Sequence, residues 1–177
     1  MIRHILSYIT FPGVIAHEFS HAWACRRLGI RIHKVCYLRL GNPMGYVLHD
    51  RPASAVGHIV VAVAPFFVST AVGLAFSLVA CLTSQSTAYP EIRAAASFGM
   101  IWLSFSCALH AFPSGGDADA LWSDVGSSHV GFFAKLLLVP ATGLIRLGQI
   151  GTRIWLDVLF ALVVVALPPA LLLVMTG

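Results

Sequence analysis

Residues 52–90 contain no Asp, Glu, Lys or Arg. About 20 apolar residues are enough to cross the hydrocarbon core of a bilayer, so this stretch predicts a transmembrane helix over residues 53–82. Two further apolar stretches, residues 94–112 and residues 154–175, are also long enough to span. The chain is therefore expected to cross a membrane several times.

The composition of the whole chain supports the same conclusion. Of its 177 residues, 58% are hydrophobic and 10% are charged, and the mean hydropathy is +0.86. Soluble domains contain about 25% charged residues, so these values exclude an ordinary soluble enzyme, a coiled coil and a disordered chain. We expect an all-α polytopic membrane protein with about four transmembrane helices, folded as a single domain over residues 1–177.

Two segments are harder to assign from hydropathy. Residues 5–28 are apolar enough for a first span, although they include three ionisable side chains that are considered below. Residues 130–150 contain a lysine, a proline and an arginine, so this segment could span the membrane, re-enter it or lie on its surface. The domain is therefore divided into a core, residues 5–125, and a C-terminal part, residues 130–177, which holds the ambiguous segment and the last span.

A short β-structure is predicted between the first two spans. Residues 30–40 are rich in Ile, Val, Tyr and Leu, residues 41–45 read Gly-Asn-Pro-Met-Gly, and residues 46–48 read Tyr-Val-Leu. Gly, Asn and Pro favour turns because they tolerate or fix the backbone angles that turns require. The pattern therefore predicts a β-hairpin.

Positive charge is concentrated around this hairpin. Six of the eleven Lys and Arg residues lie within residues 26–51, namely Arg26, Arg27, Arg31, Lys34, Arg39 and Arg51. Beside apolar spans, such a cluster is typical of a cytoplasmic loop. We therefore expect the lipid bilayer as a partner and no nucleic acid. The first span should end on the cytoplasmic side, and residues 113–130 should return to that side after the third span.

Residues 17–21 read His-Glu-Phe-Ser-His, which is the HExxH pattern. Positions i and i+4 share one face of a helix, so His17 and His21 can hold one zinc ion while Glu18 acts as the general base. An ionisable side chain inside a span costs about 2.5–3.5 kcal/mol on insertion scales and is therefore a sign of function. The alternative is that the first helix ends near the interface and that these three side chains face water.

A catalytic zinc ion needs a third protein ligand and one open position. Three candidates follow the third span: His110, Asp117 and Asp119. Asp117 is favoured because the two glycines before it let the backbone approach closely, although it could instead cap a helix that begins at residue 118. Asp119 is a better candidate for a solvated acid near a helix start. His110 could be a ligand, or a group that polarises a substrate oxygen.

The order of these features resembles that of the site-2 protease family of intramembrane zinc metalloproteases. The family's second motif has an asparagine, a proline three residues later and then an aspartate in an LDG sequence. Here His110 stands at the asparagine position, Pro113 matches the proline, Asp117 comes one residue earlier than usual and no LDG follows. The pattern HxxPSxxD is similar to that of compact prokaryotic relatives, and the resemblance covers residues 5–125.

The resemblance implies a Zn²⁺ ion held by His17, His21 and an aspartate, for which Asp117 is the best match, with Glu18 as the base. We add His110 as a second candidate catalytic residue. The implied activity is that of an intramembrane endopeptidase. It would lie in a prokaryotic cell membrane, with its active site near the cytoplasmic face.

The substrate of such an enzyme is a membrane protein or peptide, whose scissile bond must first be unwound from its helix. The hairpin at residues 30–48 offers an edge to which an extended substrate could add as a further β-strand. Two other functions stay open. A membrane di-iron oxidase or desaturase would need more paired histidines than the single HxxxH of this chain. A non-catalytic zinc-binding scaffold would keep the same ligands.

Overall fold

The computed structural model describes residues 2–87, 89–125 and 131–176. Of these residues, 76% are helical, and they form seven helices and one two-stranded sheet. In chain order the elements are α1 (Ile2–Ile9), α2 (Phe11–Arg27), β1 (Ile32–Cys36), β2 (Tyr46–His49), α3 (Ala55–Ser84), α4 (Pro90–Leu109), α5 (Gly115–Val125), α6 (Phe132–Arg153) and α7 (Leu156–Thr176). The predicted all-α fold with a small hairpin is confirmed.

Four helices within the described ranges, α3, α4, α6 and α7, are long and apolar enough to cross a membrane. Three of them correspond to the spans predicted over residues 53–82, 94–112 and 154–175. The segment that the sequence left open, residues 130–150, forms most of α6, although Val130 lies outside the described residues. By length and composition, α6 is therefore the fourth candidate span.

The first apolar segment, residues 5–28, is divided into two helices. Thr10 separates α1 from α2 with non-helical backbone angles (φ −102°, ψ 33°), and Pro12 stands in the first turn of α2. Proline is tolerated there because the first N–H groups of a helix have no partner within it, whereas in a continuous helix it would remove a hydrogen bond. The 17-residue α2 packs against α3 and α4 and is not among the four candidate spans.

Small residues and serines let α2, α3 and α4 approach one another closely. Ser106 Oγ on α4 donates to the Thr10 carbonyl at 2.8 Å and accepts from the Gly13 N–H at 3.1 Å. Any side chain at residue 13 would clash with the Ser106 carbonyl. Ser104 Oγ, also on α4, donates to the Gly73 carbonyl of α3 at 2.7 Å. Close contacts of this kind are typical of helix packing in membranes, and they bring the end of α4 against the first turns of α2.

The hairpin is shorter than the sequence predicts, and its connecting loop is longer. β1 and β2 pair in antiparallel fashion with Cys36 opposite Tyr46, so residues 37–45 form a loop instead of extending the strands. The Arg39 N–H donates to the Met44 carbonyl at 2.7 Å and closes this loop. Its last residue, Gly45, lies so close to α2 that an added Cβ would be 2.6 Å from Cγ of Glu18. The loop therefore covers α2 at the HExxH residues.

Apolar contacts attach α5 to the bundle. Side chains from α3, α5 and α6 form one buried cluster, made of Ala62, Ala118, Leu121, Leu138 and Ile145. Since each of these helices presents one apolar face to the others, α5 is held as a short helix beside α3. Its first turn then lies next to α2, which carries the HExxH residues.

Candidate metal centre

His17 and His21 lie one helical turn apart on the buried face of α2. Their Nε2 atoms are 3.2 Å apart, and both side chains are buried. The 3.6-residue period of the helix puts i and i+4 on one face. The expected pairing of the two imidazoles is therefore a local consequence of the sequence.

Asp117 approaches this pair from the first turn of α5. Its Oδ1 atom is 3.4 Å from Nε2 of His21. Its Oδ2 atom accepts hydrogen bonds from the backbone N–H and the hydroxyl of Ser114, at 2.6 and 2.7 Å. Ser114 precedes α5, so these two residues form a capping box. The helix therefore begins at Gly115 and not at residue 118. Asp117 is its third residue and is not its cap.

The geometry of these three side chains fits a metal ion. One nitrogen of His17, one nitrogen of His21 and one oxygen of Asp117 all lie within 4.8 Å of one another. Ligand atoms placed tetrahedrally 2.0–2.1 Å from zinc would be roughly 3.4 Å apart. The separation of the two Nε2 atoms and that between His21 and Asp117 are close to this value.

Both imidazoles are oriented by backbone carbonyl groups. His17 Nδ1–H donates to the carbonyl of His110 at 2.7 Å, and His21 Nδ1–H donates to the carbonyl of Val61 at 2.9 Å. A carbonyl oxygen only accepts, so Nδ1 carries the proton in each neutral ring and both Nε2 atoms present lone pairs. Two lone pairs and a carboxylate oxygen therefore converge in a largely buried place, an arrangement that a cation stabilises.

Glu18, the next residue of the motif, lies at a cavity of about 360 Å³. In the described residues its carboxylate has no hydrogen-bond partner, so it is available to a bound molecule. His17 and His110 line the same cavity. The other walls come from α1, α6 and α7, from residues 42–45 of the hairpin loop and from residues 112–115. The polar side chains of these walls include Arg3, His4, Ser7, Asn42, Gln149 and Asp157.

His110 contributes its backbone, rather than its side chain, to the metal centre. It ends α4, and its ring Nε2 is 2.9 Å from the hydroxyl of Thr10. That hydroxyl already donates its proton to the carbonyl of Leu6 at 2.7 Å. The Nε2 atom must therefore donate to Thr10, and a neutral ring keeps only the Nδ1 lone pair. In the described residues, the group that could hold a metal ion is His17, His21 and Asp117 and does not include His110. A neutral His110 ring also has no second N–H with which to polarise a substrate oxygen.

Asp119 points away from the metal centre. It is 71% exposed, and its carboxylate forms an ion pair with Arg146 of α6 at 2.7 Å. Of the three candidates that the sequence left open for the third ligand, the structure thus brings Asp117 to the two histidines.

A second buried polar cluster lies at the other end of α5. Asp124 is 4% exposed, and its two carboxylate oxygens contact Nδ1 of His58 and the guanidinium of Arg51. His58 belongs to the first turn of α3 and is also buried. Asp124 was not predicted from the sequence. Its spacing of seven residues from Asp117 was the available signal, because two helical turns place both side chains on similar faces.

Comparison of the chain with protein-family models, with curated proteins and with solved structures gives no match. The functional assignment therefore depends on the geometry of the metal centre and on the motif that forms it.

Proposed function

We propose that this chain is a zinc-dependent intramembrane endopeptidase, the activity implied by its resemblance to the site-2 protease family. The observation that carries the proposal is the convergence of His17, His21 and Asp117 beside Glu18. This centre belongs to a chain with four helices that are apolar enough to span a membrane. The three side chains come from α2 and α5, which pack against these helices, and they are largely buried; buried polar groups are costly unless they are paired or bind a metal.

The donor set supports zinc. Two imidazoles and one carboxylate are a common catalytic zinc set, and they leave one position of a tetrahedral ion open. When bound, Zn²⁺ would act as a Lewis acid that polarises the scissile carbonyl and lowers the pKa of a water. The Nδ1–H bonds of both imidazoles to carbonyl groups leave their Nε2 atoms as the nitrogens that would hold the ion.

Glu18 is assigned as the general base. Its carboxylate lies at the cavity, next to His17 in sequence, and has no partner in the described part of the chain. It would accept a proton from the attacking water and pass that proton to the nitrogen of the leaving amine, so that the peptide bond breaks without net change of the enzyme. His110 would position the substrate, because its Nδ1 lone pair could accept a hydrogen bond from an N–H of the substrate.

The substrate would be a membrane protein or peptide with a locally unwound segment. The cavity is bounded by the hairpin loop, and a two-stranded sheet leaves an outer edge on each strand free. An extended segment could therefore pair with the hairpin, residues 30–48, as an added strand. This pairing would place the scissile carbonyl near Glu18, because the loop covers α2 at that residue.

We also propose a prokaryotic cell membrane as the location, with the active site near the cytoplasmic face. The basic residues of the hairpin region support this orientation. A reporter fused within residues 31–50 should be cytoplasmic, and one fused near residues 83–86, at the end of α3, should be external. If both reporters lie on one side, α3 does not cross and the orientation is wrong.

The deciding experiment combines metal analysis with a cleavage assay on purified protein. The wild type should contain one zinc per chain and cleave a membrane peptide. Glu18→Gln should keep the zinc and lose cleavage, because an amide cannot accept the proton. The matched control is Glu91→Gln, which changes the only other glutamate, at the exposed start of α4. Normal turnover by Glu18→Gln would contradict the assignment of the base.

The same experiment separates the two alternatives. A di-iron oxidase would contain two irons, whereas the described residues hold one group of three potential metal ligands. A non-catalytic scaffold would bind one zinc and show no cleavage in either the wild type or the Glu18→Gln variant.

A further inference from the structure

A proline in α3 leaves one backbone carbonyl without its usual helical partner. Pro65 lies inside the helix, and a proline has no N–H to donate to the carbonyl four residues earlier. That carbonyl belongs to Val61. It accepts the Nδ1–H of His21 at 2.9 Å, and both residues are buried.

We propose that Pro65 is a positioning residue for the metal centre, which it serves by freeing the Val61 carbonyl for His21. The inference rests on the proposed function in so far as His21 is a metal ligand. With any other residue at position 65, a backbone N–H would bond to Val61 along the helix axis and compete with the imidazole. The carbonyl would then hold the ring less firmly, and the Nε2–H tautomer of His21, which has no lone pair on the nitrogen that faces His17 and Asp117, would gain population.

The other ligand histidine uses a carbonyl that is free for a related reason. His17 donates to the carbonyl of His110, where α4 ends. The last carbonyl groups of a helix have no intrahelical donor. Pro113, three residues later, has no N–H with which to continue the helix. Each imidazole is thus oriented by a carbonyl that helical hydrogen bonding leaves unused.

Pro169 in α7 provides an internal parallel. The carbonyl four residues before it, that of Val165, accepts the hydroxyl of Ser77 from α3 at 2.6 Å. Pro140 in α6 is the contrasting case. In the described residues, the carbonyl four residues before it, that of Leu136, accepts no side-chain hydrogen bond. Pro140 therefore offers a matched control, because it is a helical proline that orients no ligand.

The test uses purified full-length protein with ¹⁵N-labelled imidazoles, both metal-free and titrated with zinc. The variants are Pro65→Ala, Pro65→Val and the control Pro140→Ala. The valine variant restores the N–H with a side chain close to proline in size, so it separates the effect of the N–H from the effect of a cavity. The His21 signals are assigned by their loss in His21→Gln.

In the wild type we expect His21 to carry its proton on Nδ1. In Pro65→Ala and Pro65→Val we expect the Nε2–H tautomer to appear and zinc affinity to fall about 10–100-fold, the usual cost of losing an outer partner of a metal ligand. Pro140→Ala should change neither. A purely structural role of Pro65 would leave the His21 tautomer unchanged.

Two outcomes overturn the inference: a wild-type His21 that is protonated on Nε2, or Pro65 variants that both keep the wild-type tautomer. The valine variant serves for this readout if the alanine variant does not fold. A wild type that binds no zinc contradicts the proposed function instead. The tautomer of metal-free His21 still decides the role of Pro65 in that case.

Discussion

His17 Nδ1–H donates to the backbone carbonyl of His110 over 2.7 Å. The contact joins α2 to the end of α4 and fixes the tautomer of one candidate ligand. It also gives His110 a main-chain role that a substitution of its side chain leaves in place. The ring of His110 is held separately, by the hydroxyl of Thr10.

The first prediction concerns the side chain of His110. His110→Ala keeps the carbonyl that orients His17, so zinc affinity should change by less than about tenfold, the lower bound for loss of an outer partner. Cleavage should fall, with the larger effect on KM, because His110 lines the cavity that would hold the substrate. Zinc titration and steady-state kinetics measure the two effects. A loss of zinc as large as that of His17→Ala would show that the ring itself binds the ion.

The second prediction separates the two aspartates of α5. Asp117→Asn removes the anion among the three candidate ligands and should weaken zinc binding by more than the roughly 10–100-fold cost of an outer partner. Cleavage should be lost with the metal. Asp119→Asn is the matched control, since its exposed ion pair with Arg146 is worth about 0–1 kcal/mol. Wild-type zinc content in Asp117→Asn would remove Asp117 from the ligand set.

The third prediction concerns the buried Asp124. Asp124→Asn removes the carboxylate that His58 and Arg51 share, and because the Arg51 side chain is half-exposed we expect the cost to stay below the roughly 3–5 kcal/mol of breaking a fully buried pair. The variant should unfold at a lower temperature in detergent. Zinc affinity should also fall, because α5 carries both Asp124 and Asp117. Asp50→Asn, which breaks the exposed contact with His33, is the control. Equal unfolding temperatures for the two variants would contradict the prediction.

The fourth prediction concerns the contact of the hairpin loop with Glu18, the proposed base. A Cβ at Gly45 would lie 2.6 Å from Cγ of Glu18, so Gly45→Ala must displace the loop or the carboxylate. A displacement of 1 Å at a catalytic group can lower the rate by about 10²-fold. Zinc content should stay normal, since Glu18 is not a ligand. Gly99→Ala, at a glycine of α4 with open space around it, is the control. Equal cleavage rates in both variants would rule out the contact.

The order of apolar segments and the pairing of His17 with His21 were accessible from the sequence alone. Both depend on short-range rules: the length of apolar chain that crosses a bilayer and the helical period that places i and i+4 on one face. The division of residues 5–28 into α1 and α2 also had a local signal in Pro12, which the hydropathy of the segment outweighed. The hairpin was also predicted from a local signal, the turn residues 41–45 between two short apolar runs. Its loop nevertheless begins earlier than these turn residues indicate.

The sequence favoured Asp117 over Asp119 and His110 as the third ligand, but only the tertiary structure shows that Asp117 lies beside the two histidines. The path of residues 110–117 depends on the capping box at Ser114, on the bond between His110 and Thr10, and on the packing of α5 against α3 and α6. The capping box is a local feature that the Ser-x-x-Asp spacing could have indicated. The other two contacts join segments that are distant in sequence, so no local spacing rule contains them. The carbonyl of Val61, which orients His21, is likewise set by where α3 packs on α2. A proline in the sequence shows that a carbonyl is free, but only the fold shows which side chain it receives.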